Sequence, residues 1–342
     1  MSCRKLTVAA ITGRRDDPAA RFRVRQLIPA LRGYGIAMKE FIPPISKYPP
    51  SQRWLRPLWA VAASATRVPA VLTSHNYDLT FLQRELISSV YSLERFLKRP
   101  LVVDIDDAIF LHRKGSFARR LAHNAGMIIC GNDYLADNFS RWNKNVVVIP
   151  TAVDTLRFVP AYQRNSSVAI IGWIGTSSNL KYVYGIEKAL ARVFNQHPDA
   201  YLRIISDSEP KFRLIKEKNM EFIPWSTEIE VPGIQGMTVG IMPLADLPWE
   251  RGKCSYKMLL YMSCGIPVVV SPVGMNSQIL SMGKSGLAAV KEEEWTEALL
   301  ELLSDVRKRE RMAWAGRKII EENFSISRIV PILAACLHNL VK

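Results

Sequence analysis

Cysteine is scarce and nowhere paired: Cys3, Cys130, Cys254, Cys264 and Cys336 are odd in number, scattered, and show no C-x-x-C spacing. This argues against a disulfide framework and for free thiols in a reducing cytosol. The five histidines (His75, His112, His123, His197, His338) form no H-x-x-x-H pair and no Cys/His cluster, so no structural zinc site is expected. No apolar run approaches the roughly 18 residues of a transmembrane helix. The start, Met1 to Ile11, enters a strand-like run without a signal-peptide cleavage pattern, so export is not expected. A G-x-G-x-x-G dinucleotide fingerprint is absent, because Gly172 and Gly175 stand three apart.

Acidic residues are the other shortage. The 342 residues carry 46 Lys and Arg against 31 Asp and Glu, a net charge of +15. The surplus is uneven, with residues 1–160 at +12 and residues 161–342 at +3. Such an asymmetry speaks of partners rather than fold: an anionic membrane surface, a phosphorylated substrate or a nucleic acid. No nucleic-acid-binding motif of the usual kinds is present, so no nucleic acid is expected. From Ser46 to Val68, Lys47, Arg53, Arg56 and Arg67 alternate with Tyr48, Trp54, Leu55, Leu58 and Trp59. That mixture suits a helix lying in a lipid headgroup layer; it equally suits a solvated helix with its aromatics in the core.

With 48% apolar and 23% charged residues, the chain has the composition of an ordinary globular protein. Its length suits two domains. Short β-branched runs alternate with helical stretches. Strands are expected near 6–11, 37–42, 69–73, 79–82, 101–105, 127–130 and 146–149, then near 168–171, 201–205, 221–223, 239–242 and 267–270. Continuous apolar runs such as Val146-Val-Val-Ile suit strands buried on both faces of a parallel sheet, and the alternation gives two doubly wound α/β domains. The boundary is placed in the polar stretch Pro160–Ser167, giving domains 1–162 and 163–324. Residues 292–322 read as one long helix with Trp295, Leu299, Leu302, Leu303 and Val306 on a stripe. A last helix, 325–342, starts with Ser325 as its cap.

Four stretches could carry chemistry. In Trp249-Glu-Arg-Gly-Lys-Cys-Ser-Tyr-Lys, a loop with Arg251 and Lys253 enters a helix near Ser255. The first-turn N–H groups of Ser255, Tyr256 and Lys257 and the helix dipole favour an anion such as a diphosphate; a capped surface helix with solvated charges is the plainer reading. Ile170-Ile-Gly-Trp-Ile-Gly-Thr-Ser-Ser-Asn-Leu-Lys is a strand opening into a Gly- and Ser-rich turn that could approach phosphate. Leu101-Val-Val-Asp-Ile-Asp-Asp-Ala sets Asp104, Asp106 and Asp107 at a strand end, costly unless a cation or polar ligand relieves them. The run fits a phosphatase of the haloacid-dehalogenase type, a manganese-holding D-x-D pair, or structural capping; Ala108 stands where that phosphatase has Thr. In the basic run after the first strand, Arg21, Arg23 and Arg25 cannot share one helix face.

Together these stretches resemble the family 4-like glycosyltransferases of the GT-B fold, which use nucleotide-sugar donors. The resemblance spans nearly the whole chain, in family order: the Arg-rich first helix, the Asp-rich strand end, Cys130-Gly-Asn-Asp-Tyr-Leu-Ala, Val148-Ile-Pro-Thr-Ala-Val-Asp-Thr-Leu-Arg-Phe, Gly172-Trp-Ile-Gly, and the helix ending Gly265-Ile-Pro-Val-Val-Val. It implies two Rossmann-like domains facing a cleft, with the acceptor held by the first, the nucleotide-sugar by the second, and the last helix crossing back to the first. By the same resemblance Ser255, Tyr256 and Lys257 receive the distal phosphate, and Gly175 and Lys181 belong to the phosphate turn. Phe222, Ile223, Pro224 and Trp225 border the base, and Asp106 orients the sugar. The family's Glu-x7-Glu positions fall on Gly252 and Leu260, with Glu250 two residues from the first. Trp173 replaces the Arg of the phosphate turn, leaving Lys181, Arg251 and Lys253 to balance the diphosphate.

The expected activity is transfer of a sugar from a UDP- or GDP-sugar to a glycan or lipid-linked acceptor, with retention of configuration. No metal and no cofactor beyond the donor are expected, and the setting is the cytoplasm or the inner membrane face. A non-catalytic sugar-nucleotide-binding or scaffold protein is the alternative, and the phosphatase a further one.

Overall fold

A computed structural model describes residues 5–161 and 168–341. The chain divides into two compact units. The first takes the residues up to Ala152, the short loop Gly252–Cys254 and the chain from Ile326 onward; the second takes Val153–Arg251 and Ser255–Ser325. Residues 162–167 of the polar stretch read as the domain boundary lie outside the described residues, as does Cys3.

The first unit is built on six parallel strands: β1 (Leu6–Ile11), β2 (Ile36–Phe41), β3 (Leu79–Gln83), β4 (Leu101–Ile105), β5 (Met127–Cys130) and β6 (Val146–Val148), in the order β2-β1-β3-β4-β5-β6. Every residue of β3, β4 and β5 is buried, as expected of strands covered by helices on both faces. The terminal helix Ile326–Val341 lays Ile329, Val330, Leu333, Ala334 and Leu337 into this unit's core beside Val24, Leu27 and Leu31. The C-terminal helix thus returns to the first unit. Ser325 precedes that helix, and its hydroxyl donates back to the Glu321 carbonyl at 2.8 Å.

The second unit repeats the plan with β7 (Ile170–Ile174), β8 (Tyr201–Ser206), β9 (Met220–Pro224), β10 (Val239–Met242), β11 (Val268–Val270) and β12 (Gly286–Ala288), also all parallel. The order is β12-β11-β10-β7-β8-β9. The sheet reverses direction between β7 and β10, and a ligand of such a sheet belongs at the carboxyl ends of those two strands.

Two expectations about elements fail for local reasons, and one short strand is not among those expected. Val68–Thr73 is a helix, not a strand, with Pro69 in its first turn where proline's missing N–H costs nothing. Only Val71 is buried among its apolar residues, while Val68 and Leu72 face solvent. The long helix expected over 292–322 is two helices, Glu292–Ser304 and Val306–Asn323. Asp305 breaks it by leaving the helical backbone region and accepting the Lys308 N–H at 2.8 Å, so Val306 leaves the stripe and is exposed. Strand β12 is only three residues long, too short to carry a periodic signal.

Candidate functional site

In the second unit, the loop that leaves β7 and the chain that leaves β10 build one cluster. Gly175 follows β7, and its N–H donates to the Ile205 carbonyl at 3.0 Å. A Cβ there would lie 2.4 Å from Lys257 Cε and 2.9 Å from Trp173 Cζ2, so only glycine lets the Lys257 side chain cross. The Lys257 ammonium stands 5.6 Å from the centre of the Trp173 ring, a cation–π distance. Trp173 itself is buried in the core of the unit.

Lys257 sits in the first turn of the helix Tyr256–Ser263. The residue before that helix, Ser255, adopts the left-handed region (φ 51°, ψ 24°), and its hydroxyl is buried without a hydrogen-bond partner. Tyr261, one turn on, accepts the Ile174 N–H on its hydroxyl oxygen at 2.9 Å, tying the helix to the end of β7. Glu250, on the short helix Pro248–Arg251, is buried as well; one carboxylate oxygen accepts the Tyr182 hydroxyl and the other has no hydrogen-bond partner. Buried polar atoms left without partners are costly and uncommon, and Glu250 and Ser255 each carry one on the chain that follows β10.

The other residues expected in this unit are more exposed. Arg251 pairs with Asp246 at 2.7 Å on the surface, so its charge is already partly balanced. Lys181 is exposed on the helix Leu180–Tyr184, with its ammonium 4.8 Å from the Tyr182 ring centre. Trp225 is partly exposed just past β9, its backbone N–H donating to the Ser206 carbonyl at 2.9 Å. Phe222, Ile223 and Pro224, matched to a loop, are strand residues of β9, and Phe222 packs on the core. In the Thr176-Ser-Ser turn, the Ser177 N–H and hydroxyl are taken by Asp207 at 2.6 and 2.8 Å. Asp207 thus occupies part of the turn that sequence alone offers to a phosphate. Leu260, at the second Glu position, is buried among the apolar residues of its helix.

Asp106 and Lys253 belong to the first unit. There the three carboxylates at the end of β4 are relieved by arginines. Arg23, nearly fully buried, directs its guanidinium onto Asp104, with Nε 3.0 Å from one carboxylate oxygen, and donates to the Ile149 carbonyl at 2.8 Å. Burial pushes the Asp104 carboxyl above the usual carboxylate range, and the Arg23 charge opposes that rise. Arg84, which follows β3 with a positive φ of 59°, pairs with Asp107 at 2.6 Å and lies 3.5 Å from Asp106. Asp106 also accepts the Gln83 side-chain amide at 3.2 Å. The Lys253 carbonyl accepts from the Asn132 side chain at 3.1 Å, and the Cys254 thiol donates to the Asp106 carbonyl at 3.3 Å.

This arrangement disposes of the phosphatase reading, which needs Asp104 as an accessible nucleophile: the residue is 1% exposed and held by Arg23. Among the described residues no three His, Cys, Asp or Glu side chains stand together as a metal-ligand set. Lys47 and Arg67, read with the basic surface of 46–68, are instead buried. Lys47 Nζ is 3.3 Å from Gln83 Oε1, and desolvation holds its ammonium below the usual lysine range. Sequence reasoning missed Gln83, Arg84, Tyr182 and Asp207. The polar triplet Gln83-Arg84-Glu85 at the end of an apolar strand is the available signal for the first two.

Comparison with known proteins now bears on this geometry. Residues 168–305 match the family described as Glycosyl transferases group 1. Apart from the loop Gly252–Cys254, the match lies within the second unit and stops short of its two ends. Across the whole chain the fold is GT-B. HepE of Anabaena, solved with UDP and glucose, aligns with a TM-score of 0.72 at 16% identity over 98% of this chain and 100% of that one. WaaG, a glycosyltransferase involved in lipopolysaccharide biosynthesis, aligns with a TM-score of 0.69 at 14% identity over 96% and 99%. Spore coat protein SA of Bacillus subtilis (strain 168) is 23% identical over 176 residues, 47% of this chain and 46% of that protein. The matched region thus spans about half the length of that curated relative. The group 1 glycosyl transferase match contains every site residue of the second unit named above, from Gly175 to Lys257.

Proposed function

We propose that this protein is a glycosyltransferase that moves a sugar from a nucleoside diphosphate donor, UDP- or GDP-linked, to a glycan or lipid-linked acceptor, with retention of configuration. The reading carries with it a role in the biosynthesis of cell-surface polysaccharide or lipopolysaccharide, a cytoplasmic setting, and an anionic membrane surface as partner of the basic first half. The observation that supports it most is Lys257 lying against Gly175 and Trp173 at the end of β7, with an unpartnered Ser255 hydroxyl and Glu250 oxygen on the chain that leads to it, all within the residues that match the group 1 glycosyl transferases.

Charge does the chemical work in this reading. As the sugar–phosphate bond breaks, negative charge grows on the leaving diphosphate, and a fixed cation with a helix N-terminus beside it stabilises that charge more than the ground state. Lys257 supplies the cation, with Arg251, Lys253 and Lys181 as further cations. Ser255 and Tyr256 supply first-turn donors, Glu250 a carboxylate for the donor's hydroxyls, Trp225 a face for the base, and Asp106 the orientation of the sugar.

Thermal unfolding with UDP, GDP, ADP, CMP and TDP, with and without magnesium, tests it. A ligand at 100 times its Kd adds about 2.7 kcal/mol to folded-state stability. Stabilisation by one diphosphate, followed by transfer from the matching sugar nucleotide, is the expected result. Stabilisation without transfer or donor hydrolysis would favour a sugar-nucleotide-binding protein, a reading that Leu260 at the second Glu position supports. No stabilisation by any of them would overturn the proposal.

A further inference from the structure

The first unit carries an apolar stripe that none of the described residues covers. Trp54, Leu58 and Val61 recur at intervals of four and three residues through Arg53–Leu55 and the helix Arg56–Ala65, the spacing of a single helix face. They are 78%, 70% and 69% exposed. On the following helix, Leu72 is 66% exposed. Isolated exposed apolar residues need no explanation, but a periodic run of large ones on one face does. The same face of this helix is not the one that anchors it: Ala63 is buried, and Trp59 turns inward to donate its indole N–H to the Ser46 carbonyl at 3.0 Å.

Charge says what the stripe meets. Arg53 and Arg56 are exposed beside Trp54 and Leu58. The sequence from Phe41 to Tyr77 contains no Asp or Glu at all. The three carboxylates before Asp104 that follow it do not offset the cations: Glu85 and Glu94 are buried, and Asp78 accepts the Thr7 N–H and hydroxyl, each at 2.8 Å. A helix with arginines flanking an exposed Trp/Leu/Val face and no exposed carboxylate is complementary to an anionic lipid headgroup layer, with the arginines at the phosphates and the apolar face below them. Burying this face against a protein would need acidic partners for Arg53 and Arg56, which an anionic bilayer supplies over its whole surface.

We infer that Trp54, Leu58 and Val61, with Arg53 and Arg56, form a docking surface for an anionic membrane. The inference deepens the membrane part of the proposed function and rests on it only for the setting, since none of these residues belongs to the nucleotide cluster.

Sedimentation of the full chain with vesicles of phosphatidylcholine, with or without phosphatidylglycerol, tests the inference. The wild type should bind the anionic vesicles at least about tenfold more tightly than the neutral ones, and lose that preference at high salt. Arg53→Gln with Arg56→Gln should weaken anionic-vesicle binding on the order of tenfold. Leu58→Glu with Val61→Glu should abolish it at any salt. Both variants should keep the wild-type Tm and nucleotide response, which separates a lost surface from a lost fold. Equal binding to both vesicle types, no binding to either, or wild-type binding by the Glu variant would overturn the inference. So would vesicle-independent self-association that the Glu variant removes, because the stripe would then belong to a second copy. Failure of the transferase reading would appear elsewhere, as a missing nucleotide response in the wild type.

Discussion

The side chain of Lys257 runs over Gly175 and brings its ammonium to 5.6 Å from the centre of the Trp173 ring. Glycine, tryptophan and lysine come from two strand ends, and the contact fixes where a cation stands at the point where the sheet reverses. Replacing Gly175 by Ala places a methyl 2.4 Å from Lys257 Cε. The lysine chain can move aside, but the buried Trp173 ring, 2.9 Å from the same methyl, has little room to give. Gly175→Ala should therefore lower the Tm somewhat and also raise the Kd for the stabilising nucleoside diphosphate by about tenfold, or ~1.4 kcal/mol. Lys257→Met should lose about 1.5–3 kcal/mol of binding, the range for a hydrogen bond to a charged group. Wild-type affinity in both variants would remove Lys257 from the site.

In the first unit, Asp104 and Arg23 form a pair with both side chains almost fully buried. Removing one partner of such a pair leaves an uncompensated charge in the interior and costs about 3–5 kcal/mol. Asp104→Asn keeps the shape and loses the charge, so a drop of that order in urea unfolding is expected. Arg23→Met combined with it should cost less than the sum of the two single changes, because the orphaned charge is then gone. Additive costs would mean that the two residues act separately.

Much of this was legible in the sequence because parallel sheets write themselves as apolar runs. Leu101-Val-Val at the start of β4 and Val268-Val-Val of β11 could be read directly, and the order of the motifs along the chain gave the GT-B fold. The helix at 68–73 was misread because Val-Pro-Ala-Val-Leu-Thr is too short for period to distinguish helix from strand. The site was legible as residue types but not as partners. Nothing in the spacing of Asp104 and Arg23 says that one neutralises the other, and Asp207 meets Ser177 from thirty positions away along the chain. Such pairings are made by the sheet order, which brings distant strand ends together.

Arg317, on the helix Val306–Asn323, closes three loose ends of the second unit at once. Its guanidinium donates to the carbonyls of Phe158 and Ser263, both at 2.6 Å, and of Thr155 at 2.9 Å. A planar fork with five donors can serve three acceptors; an ammonium on a flexible stem cannot hold the same set. Arg317→Lys should cost about 1–3 kcal/mol for the Ser263 and Thr155 carbonyls that lose their donor, the Phe158 carbonyl keeping the Ser263 hydroxyl, and native-state hydrogen exchange should rise around Val153–Val159 before the rest of the unit. Unchanged exchange there would show that other contacts hold the segment.

The Asp207 carboxylate tests the turn after β7 through pH. Its partial burial alone would raise its pKa, but the hydrogen bonds from the Ser177 N–H and hydroxyl and from Ser206 outweigh that and hold the carboxyl below the ordinary range. A carboxyl depressed on folding adds stability that is complete above its unfolded value of about 3.9 and is lost as pH falls through the lower folded value. Asp207 is exposed, so solvent screens the effect and the gain is small. Asp207→Asn should therefore unfold at a slightly lower temperature than the wild type at neutral pH, and the two melting curves should converge as the pH drops below about 4. The variant also keeps an acceptor for the Ser177 N–H, so its turn should stay in place while losing the charge that competes with a bound phosphate. If the Lys257 cluster receives the diphosphate, Asp207→Asn should bind it at least as tightly as the wild type at neutral pH. Weaker binding would mean that Asp207 positions the turn through its charge, and a melting difference that persists in acid would deny that its carboxylate is depressed at all.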